Sequence, residues 1–188
     1  MSKQLTDNDF EVAAFQLECE VAAIKAVAEV ETAGNGFLDD GRAKILFEGH
    51  IFHKYTKGAY AATHPTICYP SWTSKFYKGG AAEYARLSEA EALNRTAARM
   101  SASYGRFQIM GFNFPICGFA NVDDFYNAMQ ESEGAQLQAF CEYIRHNNLD
   151  SALRNHDWAR LAKGYNGPEY WKNNYDKKLA AAYAKYAA

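Results

Sequence analysis

The stretch Ile24-Lys25-Ala26-Val27-Ala28-Glu29-Val30-Glu31-Thr32-Ala33-Gly34-Asn35-Gly36-Phe37 decides how this chain is read. With Ile24 on the core side of a helix, Val27 and Glu31 follow three and seven positions later on the same face, so Glu31 aims inward with them. Glu29 falls on the opposite face, four residues after Lys25, and reads as a solvated acid. A carboxylate in apolar surroundings loses hydration in its charged form, which raises its pKa. An acid tuned in that way can deliver a proton near neutral pH. The turn sequence Ala33-Gly34-Asn35-Gly36 follows at once and would open the helix end onto a cleft.

Working outward, Thr6-Asp7-Asn8-Asp9 is a capping-box pattern, followed by Phe10, Ala13, Ala14 and Leu17 at helical spacing. A second helix is expected from about Glu20 to Glu31. Beyond it, residues 36–48 place Asp40-Gly41 between two short runs of strand formers, which predicts a β-hairpin with a tight turn. The aromatic segment from His50 to Gly80, with Pro65 and Pro70, reads as an irregular excursion with one helical turn. Ser88-Glu89-Ala90-Glu91 predicts a second capping box, opening a helix with Leu93, Ala97 and Met100 on one face and ending before Gly105. Further helices are expected from Asn121 to Gln130, Ser132 to His146, Asp157 to Lys163, and Pro168 to Tyr186, the last with Pro at its first position and Trp171, Tyr175, Leu179 and Ala182 along one face.

The chain has 188 residues, long enough for one well-formed core, and neither repeats nor an obvious linker divides it. A hydrophobic fraction of 48% with 22% charged residues is globular. Twenty Lys and Arg against 22 Asp and Glu leave a net charge of −2, which argues against a sequence-independent nucleic-acid binder. The 13 Tyr, 12 Phe and 3 Trp fill cores first, although aromatic faces also suit sugar rings. Cys19, Cys68, Cys117 and Cys141 lack CxxC pairing and fit buried free thiols. The start of the chain lacks the cationic and apolar regions of a signal peptide, so export by that route is not expected. His50, His53 and His64 beside Glu48 could be drawn as a zinc site, but His-x-x-His on a strand or irregular segment does not converge the rings; no metal or cofactor is expected. The run from Lys177 to Ala188 is a mildly cationic amphipathic helix. Such helices can touch anionic membranes, yet packing on the core is their ordinary use.

Three patterns could carry chemistry. Glu31 lies in the first. In the second, Ser101 to Asn113, Gly105 breaks a helix and Gln108 stands among Phe107, Ile109 and Met110; its amide has donors and an acceptor that suit sugar hydroxyls or acetamido groups. The third is a turn holding Tyr165 and Asn166 between two helices. Each has a bland alternative: an ion-paired core acid, a capping amide, a plain loop.

Taken in order, Glu31-Thr32, then Gly105-Arg106-Phe107-Gln108-Ile109-Met110, then Tyr165-Asn166 resemble the lysozyme-like superfamily of goose-type lysozymes and soluble lytic transglycosylases. The segment Gly41-Arg42-Ala43-Lys44-Ile45-Leu46-Phe47-Glu48-Gly49-His50-Ile51-Phe52 looks like the phage endolysin N-acetylmuramidase family, and the likeness runs from Thr6 to the last helix. It implies a single mainly α, lysozyme-like domain without a separate wall-binding module, with a helical lobe, a small β-hairpin lobe and a cleft between them. It also implies hydrolysis of the β-1,4 bond between N-acetylmuramic acid and N-acetylglucosamine in peptidoglycan by a monomer. Such an enzyme would be made in the host cytoplasm and act on the periplasmic wall layer.

On that resemblance Glu31 protonates the leaving glycosidic oxygen, and Gln108, Tyr165 and Asn166 line the sugar groove where Gly105 lets the backbone turn. Hydrolysis normally needs a second carboxylate, for which Glu48, Asp39 and Asp40 are the candidates. Glu48 matches the family segment, and it could equally pair with Arg42 or Lys44. Asp40 could simply shape its turn. A lytic transglycosylase, which closes a 1,6-anhydro ring and needs no second carboxylate, stays open, as does a non-catalytic peptidoglycan-binding module.

Overall fold

Among residues 3–30 and 35–188, which the computed structural model describes, helices carry most of the regular structure and a three-stranded sheet the rest. In chain order these are α1 (Asp7–Leu17), α2 (Val21–Val30), β1 (Ile45–Phe47), α3 (Gly49–Tyr55), α4 (Glu83–Met100), β2 (Ala102–Tyr104), β3 (Ile109–Met110), α5 (Val122–Glu131), α6 (Glu133–His146), α7 (Asp150–Arg154), α8 (Trp158–Asn166) and α9 (Tyr175–Ala187). They fall into two compact units, Met1–Asn35 with Ser132–Ala188, and Gly36–Glu131.

In the first unit, α1 opens with the expected capping box. Thr6 Oγ1 accepts from the Asp9 N–H at 3.3 Å, and Asp9 Oδ2 accepts from the Thr6 N–H at 2.8 Å. α2 buries Ala23, Ile24, Ala26, Val27 and Ala28, the stripe its spacing predicts, and lies between α1 and α9. Glu29 is on its solvated side, but its partner is not Lys25, which pairs with Asp7 at 2.9 Å. Lys185 Nζ and the Tyr186 hydroxyl of α9 both donate to Glu29 Oε2 at 2.6 Å. α9 buries Leu179 and Ala182 against its neighbours α2 and α8. The helix predicted from Pro168 is broken: Tyr170–Asn173 form a 3-10 turn, and Asn174 at φ 52 stops it in the left-handed region before α9 begins. Trp171 therefore does not share the buried face and is 61% exposed. α7 was not foreshadowed by any expected element.

In the second unit, Phe37 bridges Ala43 across the Asp40-Gly41 turn, as a hairpin requires. The strand that follows takes a different partner: β1 pairs with β2 in antiparallel register Ile45↔Tyr104, Leu46↔Ser103, Phe47↔Ala102, and β3 completes the sheet beside β2. Residues 101–113, for which the sequence suggested no strand, thus contain a second hairpin. The sheet closes on a core that includes Phe47, Phe52, Tyr104, Phe125 and Met129, each without solvent exposure. Tyr104 keeps its hydroxyl satisfied there by donating to the Arg99 carbonyl at 2.9 Å. The expected capping box at Ser88 does not form. α4 begins five residues earlier, and a kink at Asn94 (φ −158, ψ 97) restarts it, with Asn94 Oδ1 accepting from the Ala97 N–H at 3.0 Å.

All four cysteines are free; Cys68, Cys117 and Cys141 are buried, and burial pushes the thiols of Cys19 and Cys141 up to about 12. No described helix is long and apolar enough to cross a membrane.

Candidate active site

Glu48 stands where β1 gives way to α3, at the helix's N-cap position, with a side chain 15% exposed. Its backbone is fixed from inside the protein. The preceding residue, Phe47, donates its N–H to Glu83 Oε2 at 3.2 Å, and its carbonyl accepts from Arg86 Nη1 at 2.8 Å. Glu83 and Arg86 pair at 2.8 Å, one turn apart on α4, with the Glu83 side chain wholly buried. Glu83 Oε1 takes two more N–H groups, from Lys78 at 2.5 Å and Gly79 at 3.1 Å. Burial works against the charge on Glu83, but the Lys78 and Phe47 N–H groups and Arg86 outweigh it and hold the carboxyl below its ordinary range. One buried carboxylate therefore sets the chain on both sides of the site, next to Glu48 and next to Tyr77.

Tyr77 uses that placement to donate its hydroxyl proton to Glu48 Oε2 at 2.7 Å. Burial first, and the Glu48 carboxylate second, push the phenol well above its usual range, so it remains a donor. His50 Nδ1 lies 3.2 Å from the same oxygen without the geometry of a hydrogen bond. The partners of Glu48 are thus Tyr77 and His50, not Arg42 or Lys44. Arg42 belongs to Asp40: its Nε and Nη2 reach Asp40 Oδ2 at 3.0 and 2.6 Å, and its guanidinium lies over the Tyr84 ring at 4.2 Å. The side-chain bond from Arg42 holds the Asp40 carboxyl below its usual range. Asp40 shapes and pins its turn, and Asp39 beside it is exposed. Among the described residues no three His, Cys, Asp or Glu side chains gather to hold a metal ion.

Gly105 and Gln108 bracket the turn of the β2–β3 hairpin. Gly105 sits at φ 70, a conformation glycine adopts without strain, and donates its N–H to the Lys44 carbonyl at 2.8 Å. It ends a strand; the helix before it has already stopped at Met100. Gln108, itself left-handed at φ 49, folds its amide back: Nε2 donates to the Gly105 carbonyl at 2.8 Å, and Oε1 accepts from Ser103 Oγ at 2.8 Å. The residue is nonetheless exposed. Its amide fixes the hairpin turn and caps no helix.

Tyr165 and Asn166 do not form a turn. They occupy the end of α8, and Gly167 at φ 85 follows. The Tyr165 ring packs edge-on against Phe140 and Tyr143, with centroids 5.3 and 5.5 Å away. Both residues line a narrow apolar crevice with Val27, Leu161 and Leu179. Glu31 lies outside the described residues, as do Thr32, Ala33 and Gly34; α2 is described to Val30.

Sequence reading missed Glu83, Arg86 and Tyr77. A signal for the first two exists: Glu83, Arg86, Leu87 and Ala90 share one helical face and all are buried, so a charged pair stands where the stripe calls for apolar residues. Tyr77 carries no such signal.

The model of the Muramidase family, N-acetylmuramidase, matches residues 20–187. Among solved structures, the crystal structure of Burkholderia AP3 phage endolysin is similar at 40% identity and a TM-score of 0.94, over 100% of this chain and 73% of that one. Comparison with curated proteins found no match. A family match across nearly the whole sequence, with the fold shared at that identity, places the chain plainly: it belongs to the N-acetylmuramidase family, as a lysozyme-like, mainly α glycoside hydrolase.

Proposed function

We propose that this muramidase acts as an endolysin, cutting the β-1,4 bond between N-acetylmuramic acid and N-acetylglucosamine in peptidoglycan, with Glu31 as general acid. The observation that carries the assignment is the family match over residues 20–187 with the fold shared at 40% identity; within α2, Ile24 and Val27 are 0% and 2% exposed, and Glu31 is placed in the site by its sequence spacing and the family resemblance alone. In that role Glu31 protonates the departing glycosidic oxygen as the sugar gains oxocarbenium character. Glu48 is the second carboxylate we favour. Tyr77 holds one of its oxygens, its side chain keeps some exposure, and neither Arg42 nor Lys44 neutralises it. In that role it accepts the proton of the attacking water. Gly105 and Gln108 shape the loop that meets a sugar, while Tyr165 and Asn166 contribute from the end of α8.

The test is digestion of purified peptidoglycan, with muropeptides read by mass spectrometry. Glu31→Gln, folded as the wild type, is expected to lose at least about 100-fold in rate. Near-wild-type release by that variant removes Glu31 from the mechanism. Reducing-end muramic acid among the products means hydrolysis; 1,6-anhydro ends instead would replace it with transglycosylation and free Glu48 from its role.

A further inference from the structure

We propose that His50 is a positioning residue for Glu48: its Nδ1 carries a hydrogen and bonds Oε2 during turnover, which leaves Oε1 for the attacking water. The proposal deepens the muramidase reading above and rests on the role given there to Glu48. The carboxylate must first be free for such work. Glu48 occupies the N-cap position of α3, where a side chain ordinarily accepts from the first N–H groups of the helix, yet it makes no such bond. Those groups are met otherwise. The Tyr69 hydroxyl accepts from the Gly49 N–H at 3.3 Å, and the Glu48 carbonyl accepts from Ile51 and Phe52 at 3.0 and 3.1 Å. The strand ladder sets where the side chain goes instead. It continues past Phe47, because the Glu48 N–H donates to the Ser101 carbonyl at 2.8 Å. Alternation then puts Glu48 on the sheet face opposite the buried Ile45 and Phe47. There Oε2 accepts from the Tyr77 hydroxyl at 2.7 Å, and among the described residues Oε1 has no donor.

His50 supplies the second observation. Its Nδ1 is buried without a hydrogen-bond partner, the one such side-chain atom among the described residues. It stands 3.2 Å from Glu48 Oε2, close enough for a bond but misaligned for one. Two bare lone pairs at that distance repel. The nitrogen facing the carboxylate is therefore the one that carries hydrogen, and the lone pair of the neutral ring lies on Nε2. A buried nitrogen without a partner costs free energy that a carbon ring of the same shape would avoid, so packing alone does not explain a histidine here. Hydrogen bonds that catalysis uses are often misaligned in the free enzyme and tighten only around substrate. A small turn of the imidazole gives Oε2 a second donor beside Tyr77. With both donors on one oxygen, the other keeps its lone pairs and a fixed direction as it takes the proton of water. His50 itself gives up no proton.

The test separates the nitrogen from the ring. His50→Phe keeps a ring without the donor, and His50→Asn keeps an amide N–H near the Nδ1 position without the ring. On soluble peptidoglycan fragments, His50→Phe is expected to lose about 10- to 100-fold in kcat with KM little changed, the scale of one hydrogen bond to a charged group. His50→Asn is expected to recover most of that loss. The thermal midpoint of His50→Phe should not fall, because the substitution removes a buried orphan. The reverse order, with Phe tolerated and Asn not, would make the ring a packing element and overturn the proposal. A His50→Phe enzyme with wild-type kcat would overturn it as well.

A second measurement is independent of activity. Long-range proton–nitrogen NMR correlations distinguish a bare ring nitrogen from a protonated one, and the His50 signal is identified by its loss in His50→Asn. The bare nitrogen of the neutral ring is expected at Nε2; a bare Nδ1 overturns the proposal. Glu48→Gln, assayed beside these variants, keeps the two readings apart. If Glu48→Gln is inactive while His50→Phe matches wild type, the role of His50 falls and the muramidase reading stands. If Glu48→Gln hydrolyses as wild type does, Glu48 leaves the mechanism and His50 leaves with it.

Discussion

In the unit Gly36–Glu131, the residue before Glu48 is held on both sides by a buried ion pair; in the other unit, a residue two before Glu31 is held by an exposed one. Glu83 is wholly buried and accepts from three backbone N–H groups and Arg86. Glu29 keeps a side chain 40% exposed and accepts from Lys185 and Tyr186, both exposed. The partners are similar in kind and the distances in length, so the difference is the medium. A charge removed from water leaves costly orphans if its partner is lost, whereas an exposed pair falls back on solvent. The first tie fixes geometry, and the second only trims it.

Removing the buried carboxylate is the strongest way to break that contrast. Glu83→Ala strands Arg86 and the N–H groups of Phe47, Lys78 and Gly79, and is expected to lower unfolding free energy by about 3–5 kcal/mol in urea titration. A loss under about 1 kcal/mol, the scale of a surface pair, would mean that water reaches these groups and that the two ties are alike.

The pH dependence follows from the same carboxyl. Its folded pKa is depressed below the ordinary value of 4.5. The stability it contributes is therefore complete above that value and is lost as pH falls through the lower native one. Denaturation midpoints followed from about pH 6 down to about pH 2 should fall for the wild type, and should fall less steeply for Glu83→Gln, which has no proton to gain there. Equal slopes would assign the acid limb to other carboxylates.

A smaller effect tests the close packing around Glu48. Gly49→Ala puts a methyl group where the Tyr69 ring stands, 2.3 Å from its nearest carbon, and is expected to cost about 1–3 kcal/mol by overpacking. An unchanged thermal midpoint would show that the segment 69–77 yields readily.

The sequence made the helical half legible and the sheet half much less so. α1, α2, α5 and α6 announce themselves by caps and stripes that are local, and the structure carries them within a residue or two. β1 and β2 are three residues each, and their pairing joins Ile45 to Tyr104 across more than half the length of that unit; no local pattern encodes it. Asn94 hid a restart inside one helical pattern, and Asn174 hid a stop inside another, because a single polar residue is a weak signal in a long stripe. At the site, motif order brought out Glu48 and Gln108. The Tyr77 hydroxyl on Glu48 and the Glu83 carboxylate on the Phe47 N–H were invisible, since both contacts depend on where a long irregular segment returns.

The weakest tie gives the sharpest test. Glu29→Gln removes the charge that Lys185 and Tyr186 address, yet all three side chains face water, so the loss should stay within about 0.5 kcal/mol, the range of ordinary surface substitutions. Added salt should shrink it further, because the charges of an exposed pair are screened by mobile ions. Activity on peptidoglycan should likewise hold, since burial of Ile24 and Val27 already fixes α2. If the stability change is small but the rate falls tenfold or more (about 1.4 kcal/mol of barrier), an exposed pair would be setting the register of the last turn before Glu31. Geometry would then be carried by a contact of little stability, and burial would cease to be the measure of which tie matters.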